Sequence, residues 1–167
     1  ANSVANNTVL GESALDAAVT GGNNTALGYQ ALTTNTSGAS NTAVGKSSLA
    51  SNTTAGNNTA VGADSLSVNS TGASNTAVGS GSLNVNTTGQ YNTAVGANAL
   101  DANTTASYNT SIGYAAATAN TTGSLNTGLG AQTLYANTTG GSNTAVGVNA
   151  LMDNTTGSNN SSLGYAA

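Results

Sequence analysis

Residues 92–108 read NTAVGANALDANTTASY and residues 143–159 read NTAVGVNALMDNTTGSN. Their opening tract, Asn-Thr-Ala-Val/Leu-Gly, begins at Asn24, Asn41, Asn58, Asn75, Asn92 and Asn143, and degenerate copies begin at Asn7, Asn109, Asn126 and Asn160. All ten starts are 17 residues apart, with no insertion or deletion. A register held over ten copies means that each copy is one structural unit stacked on the next. Residues 1–167 thus form a single repeat domain, with partial coils at both ends and the look of a window on a longer array.

Positions are counted 1–17 from each starting Asn, and coils 1–10 from Asn7. Position 1 is always Asn and position 5 always Gly. Position 4 is always branched and apolar: Leu10, Leu27, Val44, Val61, Val78, Val95, Ile112, Leu129, Val146 and Leu163. Position 9 is Leu15, Leu32, Leu49, Leu66, Leu83, Leu100, Leu134 and Leu151, with Ala117 the exception. These two columns are the expected core. Positions 2 and 4, and then 9, 11 and 13, alternate inward with a period of two, which is strand spacing. The Gly at position 5 and the Gly or Ala at position 15 mark corners.

The fold class this gives is all-β: a parallel β-solenoid, or β-roll, of about ten coils, with one 17-residue coil per repeat and two short strands in each. Every strand pairs with its equivalent one coil along, at a rise of about 4.8 Å. Identical side chains then stack in ladders. Asn at position 1 either forms an amide ladder along the axis or tolerates left-handed backbone at a corner.

The composition narrows function. Asn (26) and Thr (28) dominate, and there is no His, Cys, Arg, Pro, Trp or Phe. The titratable carboxylates and amine are Glu12, Asp16, Asp64, Asp101, Asp153 and Lys46, too few and too scattered for acid–base or nucleophilic catalysis. No enzyme activity, metal site or cofactor is expected. A net charge of −4 with one basic residue argues against nucleic acid as a partner. No apolar run approaches the roughly 20 residues of a membrane helix, so membrane insertion is not expected.

Three outward features are candidate surfaces. Asn35, Asn52, Asn69, Asn86, Asn103, Asn120, Asn137 and Asn154, at position 12, each open an N-x-Ser/Thr sequon. With positions 11 and 13 inward they would face solvent and could accept covalent N-linked glycans. Position 3, Ala in most coils, would form a flat small-residue stripe on which another rod could pack. One outward Thr per coil, at position 14, is a sparse array for ordering water, the basis of an ice-binding reading.

The tract Asn-Thr-Ala-Val-Gly-x-x-Ala/Ser-Leu-x-x-Asn-Thr-Thr-Gly, as in residues 92–106 and 143–157, resembles the repeats of phage and bacterial tail-fibre-domain proteins. Its first half is similar to the head repeat of trimeric autotransporter adhesins. The resemblance covers essentially the whole chain and implies a parallel β-roll, often trimeric, that serves as a stalk or adhesive shaft. The function expected is a non-enzymatic structural protein, a β-solenoid shaft of a surface or secreted filament, glycan-coated and adhesive, located outside the cell, at the cell surface or on a virion. The alternative is a trimeric phage tail-fibre shaft for host attachment. The partners expected are copies of the chain, side by side or end to end, covalent glycans, or a cell-surface receptor.

Overall fold

The computed structural model describes residues 6–167. The expected partial coil before Asn7 falls almost wholly in residues 1–5, outside the described residues. Ten three-residue strands follow at 17-residue intervals: β1 (Thr8–Leu10), β2 (Thr25–Leu27), β3 (Thr42–Val44), β4 (Thr59–Val61), β5 (Thr76–Val78), β6 (Thr93–Val95), β7 (Thr110–Ile112), β8 (Thr127–Leu129), β9 (Thr144–Val146) and β10 (Ser161–Leu163). They form one 10-stranded parallel sheet in sequence order. The register is strict, with Thr on Thr, Ala on Ala and Val on Val in β5 and β6. The protein is a parallel β-solenoid.

The strands sit one residue out of phase with the expected core. Positions 1 and 3 point inward: Asn92 is 1% exposed and Ala94 0%. Position 4 points outward, with Leu27 42% and Ile112 41% exposed. A one-residue shift of a strand moves its whole side-chain set to the other face. Space inside the coil decides the phase. At Gly128, in position 3, an added Cβ would lie 2.7 Å from Thr133 Oγ1 and 3.8 Å from Leu134 Cδ1. In coil 8 Thr133 crowds even a methyl group; with the smaller Ala or Ser at position 8 of the other coils, the space between position 3 and the Leu at position 9 takes the Ala methyl and not a branched side chain. Leu32, Leu49, Leu66, Leu83, Leu100 and Leu134 are completely buried in that space, each contributing about 1.5–3 kcal/mol. The position 4 column, Leu10 to Leu163, lies outside it.

Each coil has one strand and not the two expected. At position 9 every residue from Leu15 to Leu151 has left-handed φ, for example Leu83 at 49° and Leu100 at 51°, so the chain curls where alternation suggested extension. Stacking persists nonetheless. The amide of Leu83 donates to the carbonyl of Ala99 (3.0 Å) and that of Leu100 to Ala116 (3.0 Å). Positions 11 and 13, expected inside, lie near the surface: Val68 is 40% exposed. Asp153, at position 11, is exposed as well.

Two Asn columns hold the remaining interior. At position 12, from Asn52 onward, each Nδ2 donates to the Oδ1 of the Asn one coil earlier, as in Asn69 to Asn52 (3.0 Å), Asn86 to Asn69 (2.8 Å) and Asn103 to Asn86 (2.8 Å). At position 1, the Oδ1 of Asn75 accepts from the backbone N–H of Asn92 (2.9 Å), and Asn92 Nδ2 donates to the carbonyl of Ala106 (2.9 Å). Asn103 Nδ2 donates to that same carbonyl (3.1 Å). Left-handed backbone falls instead at position 17, beside the Asn. Buried amides without partners would cost several kcal/mol each; here the repeat supplies the partners, except at Asn109 Nδ2.

Candidate interaction surface

Among the described residues no group of three His, Cys, Asp or Glu side chains gathers, and no helix is long and apolar enough to cross a membrane. Asp101 is the carboxylate with a shifted titration: burial raises its pKa, and a hydrogen bond from Asn84 opposes the rise. A hollow at the last coil is lined by Leu151, Met152, Asp153 and Asn154 among others. It contains one carboxylate and no base or nucleophile to pair with it.

The sequons prove to be interior. Asn35, Asn52, Asn69, Asn86, Asn103, Asn120 and Asn137 are all 0% exposed, and Asn154 is partly buried at the end of the column. The outward orientation expected of them is corrected, because the flanking positions 11 and 13 are the ones near solvent. Their Nδ2 atoms, where a sugar would be joined, already donate to the neighbouring Asn and to a carbonyl three residues on. The position 3 stripe is corrected likewise: Ala26, Ala43, Ala60, Ala77, Ala94 and Ala145 are fully buried and cannot meet another rod.

The surface that the strands present is the other side of the sheet, with Thr at position 2 beside a branched aliphatic at position 4. From Thr25 to Thr144 the position 2 hydroxyls make no hydrogen bond within the chain, whereas position 13 hydroxyls are spent on the next coil's carbonyl, as in Thr87 to Thr104 (2.9 Å) and Thr104 to Thr121 (3.1 Å). No charged residue falls at positions 1–5 in any coil. The face is uncharged and half apolar over its whole length, its position 4 side chains exposed or half-exposed, and an apolar strip of this kind marks an interaction site.

A second surface feature escaped the reading of the repeat. At position 17 most coils have Asn or Ser, but coils 5–7 have Tyr91, Tyr108 and Leu125. The two rings stack with centroids 5.0 Å apart and planes 14° apart. The visible signal was the coincidence of three bulky residues in consecutive coils at one position. Comparison with known protein families, with curated proteins and with solved structures finds no match for this chain.

Proposed function

We propose that the chain is a non-enzymatic structural rod, the shaft of an extracellular, cell-surface or virion filament, which packs sideways against copies of itself through the Thr/aliphatic face. The observation carrying this reading is the outward position 4 column, which leaves ten branched apolar side chains in register on the surface of a thin rod. At about 4.8 Å per coil the rod is some 45 Å long, and positions 2–6 span roughly 13 Å, a band of about 600 Å² charged only at Glu12 and Lys46, against the ~800 Å² per partner of a stable interface. A bundle of three rods would cover the strip from two sides, the arrangement of the tail-fibre alternative, in which the shaft holds a virion to a host receptor. Glycan coating is not part of the proposal, since the sequon amides serve the interior.

Sedimentation equilibrium tests it. The full chain is expected at a small multiple of 15.8 kDa, and Val78→Asp with Val95→Asp at 15.8 kDa with an unchanged β-type circular-dichroism spectrum. A single-rod mass for the unaltered chain at all concentrations would overturn it. One observation favours a second reading: eight unspent, regularly spaced hydroxyls from Thr25 to Thr144 beside aliphatic methyls make a better water-ordering array than position 14 alone. Thermal hysteresis from the unaltered chain, lost on replacing Thr76 and Thr93 with Asp, would select ice binding over lateral assembly.

A further inference from the structure

The Tyr91–Tyr108–Leu125 strip is unexplained by the fold or by lateral assembly. Position 17 has left-handed backbone in every coil, with φ of 56°, 62° and 63° at these three residues. Asn and Ser, found elsewhere in the column, suit that conformation better than bulky side chains. The three side chains nevertheless gain little from burial, being 52%, 58% and 60% exposed. Position 16 is Gly or Ala in coils 1–4 and 8, but Gln90, Ser107 and Ser124 in these three coils and Ser158 in coil 9. Within the three coils two hydroxyls accept from the preceding coil's backbone, Ser107 Oγ from the Gln90 amide (3.0 Å) and Ser124 Oγ from the Ser107 amide (3.1 Å), which leaves their protons free to donate outward.

We propose that this strip is a binding site for a neutral saccharide. Tyr108 covers one face of the Tyr91 ring. The opposite face looks toward coil 4, where Ala73 and Ser74 are too short to cover it. A sugar ring laid there, by its C–H face, continues the aromatic stack at the next rung of about 4.8 Å. The Gln90 side-chain carboxamide and the Ser74 hydroxyl supply hydrogen bonds to ring hydroxyls. Positions 12–17 contain no charged residue in any coil, so nothing favours an ionic ligand. Three side chains are also far short of the 20–30 residues per side of a protein interface, which disfavours a second copy as the occupant.

Isothermal titration of the full chain with maltohexaose, cellohexaose and mannohexaose, and with a hyaluronan hexasaccharide as the anionic comparison, tests the site. Saturable binding of at least one neutral probe is expected. Tyr91→Ser with Tyr108→Ser, which restores a residue native to the column, should weaken it about tenfold or more, while Tyr29→Ser at position 6 leaves it unchanged. The proposal is overturned if no neutral probe binds, if hyaluronan binds as well as the best of them, or if affinity survives in the double variant. A fall in sedimenting mass for the double variant would also overturn it, by making the strip a contact between copies. Lateral assembly is read separately, from the Val78 and Val95 variants, so either conclusion can fail alone.

Discussion

Coil 6 (residues 92–108) and coil 7 (residues 109–125) are neighbours with different interiors. Coil 6 has Ala94 and Leu100 inside, while coil 7 has Ser111 and Ala117, three carbons fewer at position 9 and one oxygen more at position 3. The Asn92 side chain reaches the Ala106 carbonyl, but Asn109 Nδ2 and Ser111 Oγ are buried without a partner. Yet the backbone scarcely differs. Ala117 has φ of 49° against 51° for Leu100, and its amide donates to Thr133 at 2.8 Å where that of Leu100 donates to Ala116 at 3.0 Å. The shape of a rung is imposed by the ladder above and below it; the apolar column adds stability to a shape already set.

The largest effect should come from breaking what the two coils share. Gly96→Ala puts a Cβ 2.4 Å from the Gly113 carbonyl oxygen at φ +131°, backbone against backbone with nothing to yield. A loss of roughly 3 kcal/mol or more is expected, read from the urea midpoint. Next, Leu100→Ala turns coil 6 into a second coil 7 and should cost about 2–5 kcal/mol. Ala117→Leu runs the other way and should raise the midpoint, because every other described coil with a position 9 residue accepts Leu there with the same backbone.

A smaller contrast lies in the position 1 amides. Asn92→Ala removes an acceptor for the Asn109 amide (3.0 Å) and a donor to Ala106 (2.9 Å), at about 1–3 kcal/mol. Asn109→Ala removes only the acceptor for the Asn126 amide (2.9 Å), so thermal unfolding should place it about 1 kcal/mol milder. The smallest effect is titration at Asp101 in coil 6. Burial raises its pKa above the ordinary 3.8, so folding favours the protonated form. That contribution is full below 3.8 and is lost as pH rises through the folded value. Asp101→Asn, which repeats Asn84 one coil earlier, should be more stable than the unaltered chain at neutral pH and should show a flatter acid limb in unfolding measured against pH.

The rung is legible in the sequence, because ten Asn and ten Gly at a fixed spacing admit little besides stacked coils. So is the Leu column, the largest apolar side chains present once per coil. Hydrophobicity alone does not sort inside from outside here. In so narrow a coil the interior opposite Leu100 has room for the Ala94 methyl and for planar amides such as Asn103, whose partners are other copies of the same residue. Val95 is excluded by volume and Asn103 admitted by its hydrogen bonds, neither of which is visible within one repeat. The second strand was misread for a related reason: alternation at positions 9, 11 and 13 resembles extension, whereas left-handed φ at Leu100 curls the chain without interrupting the stacking. Tyr91 and Tyr108 stood out only as departures from the column, since the repeat itself obscured what differs between coils.

The central claim is that one hydrogen-bonded ladder runs through the strand and the curled half of every coil, coil 7 included. Residue-resolved amide hydrogen exchange on the full chain tests it at Leu100 and Ala117. Both amides should exchange at least about a thousandfold more slowly than in a free peptide. Free-peptide rates at Ala117 with Leu100 still protected would show the rod interrupted at coil 7, and free-peptide rates at both would contradict the rung itself.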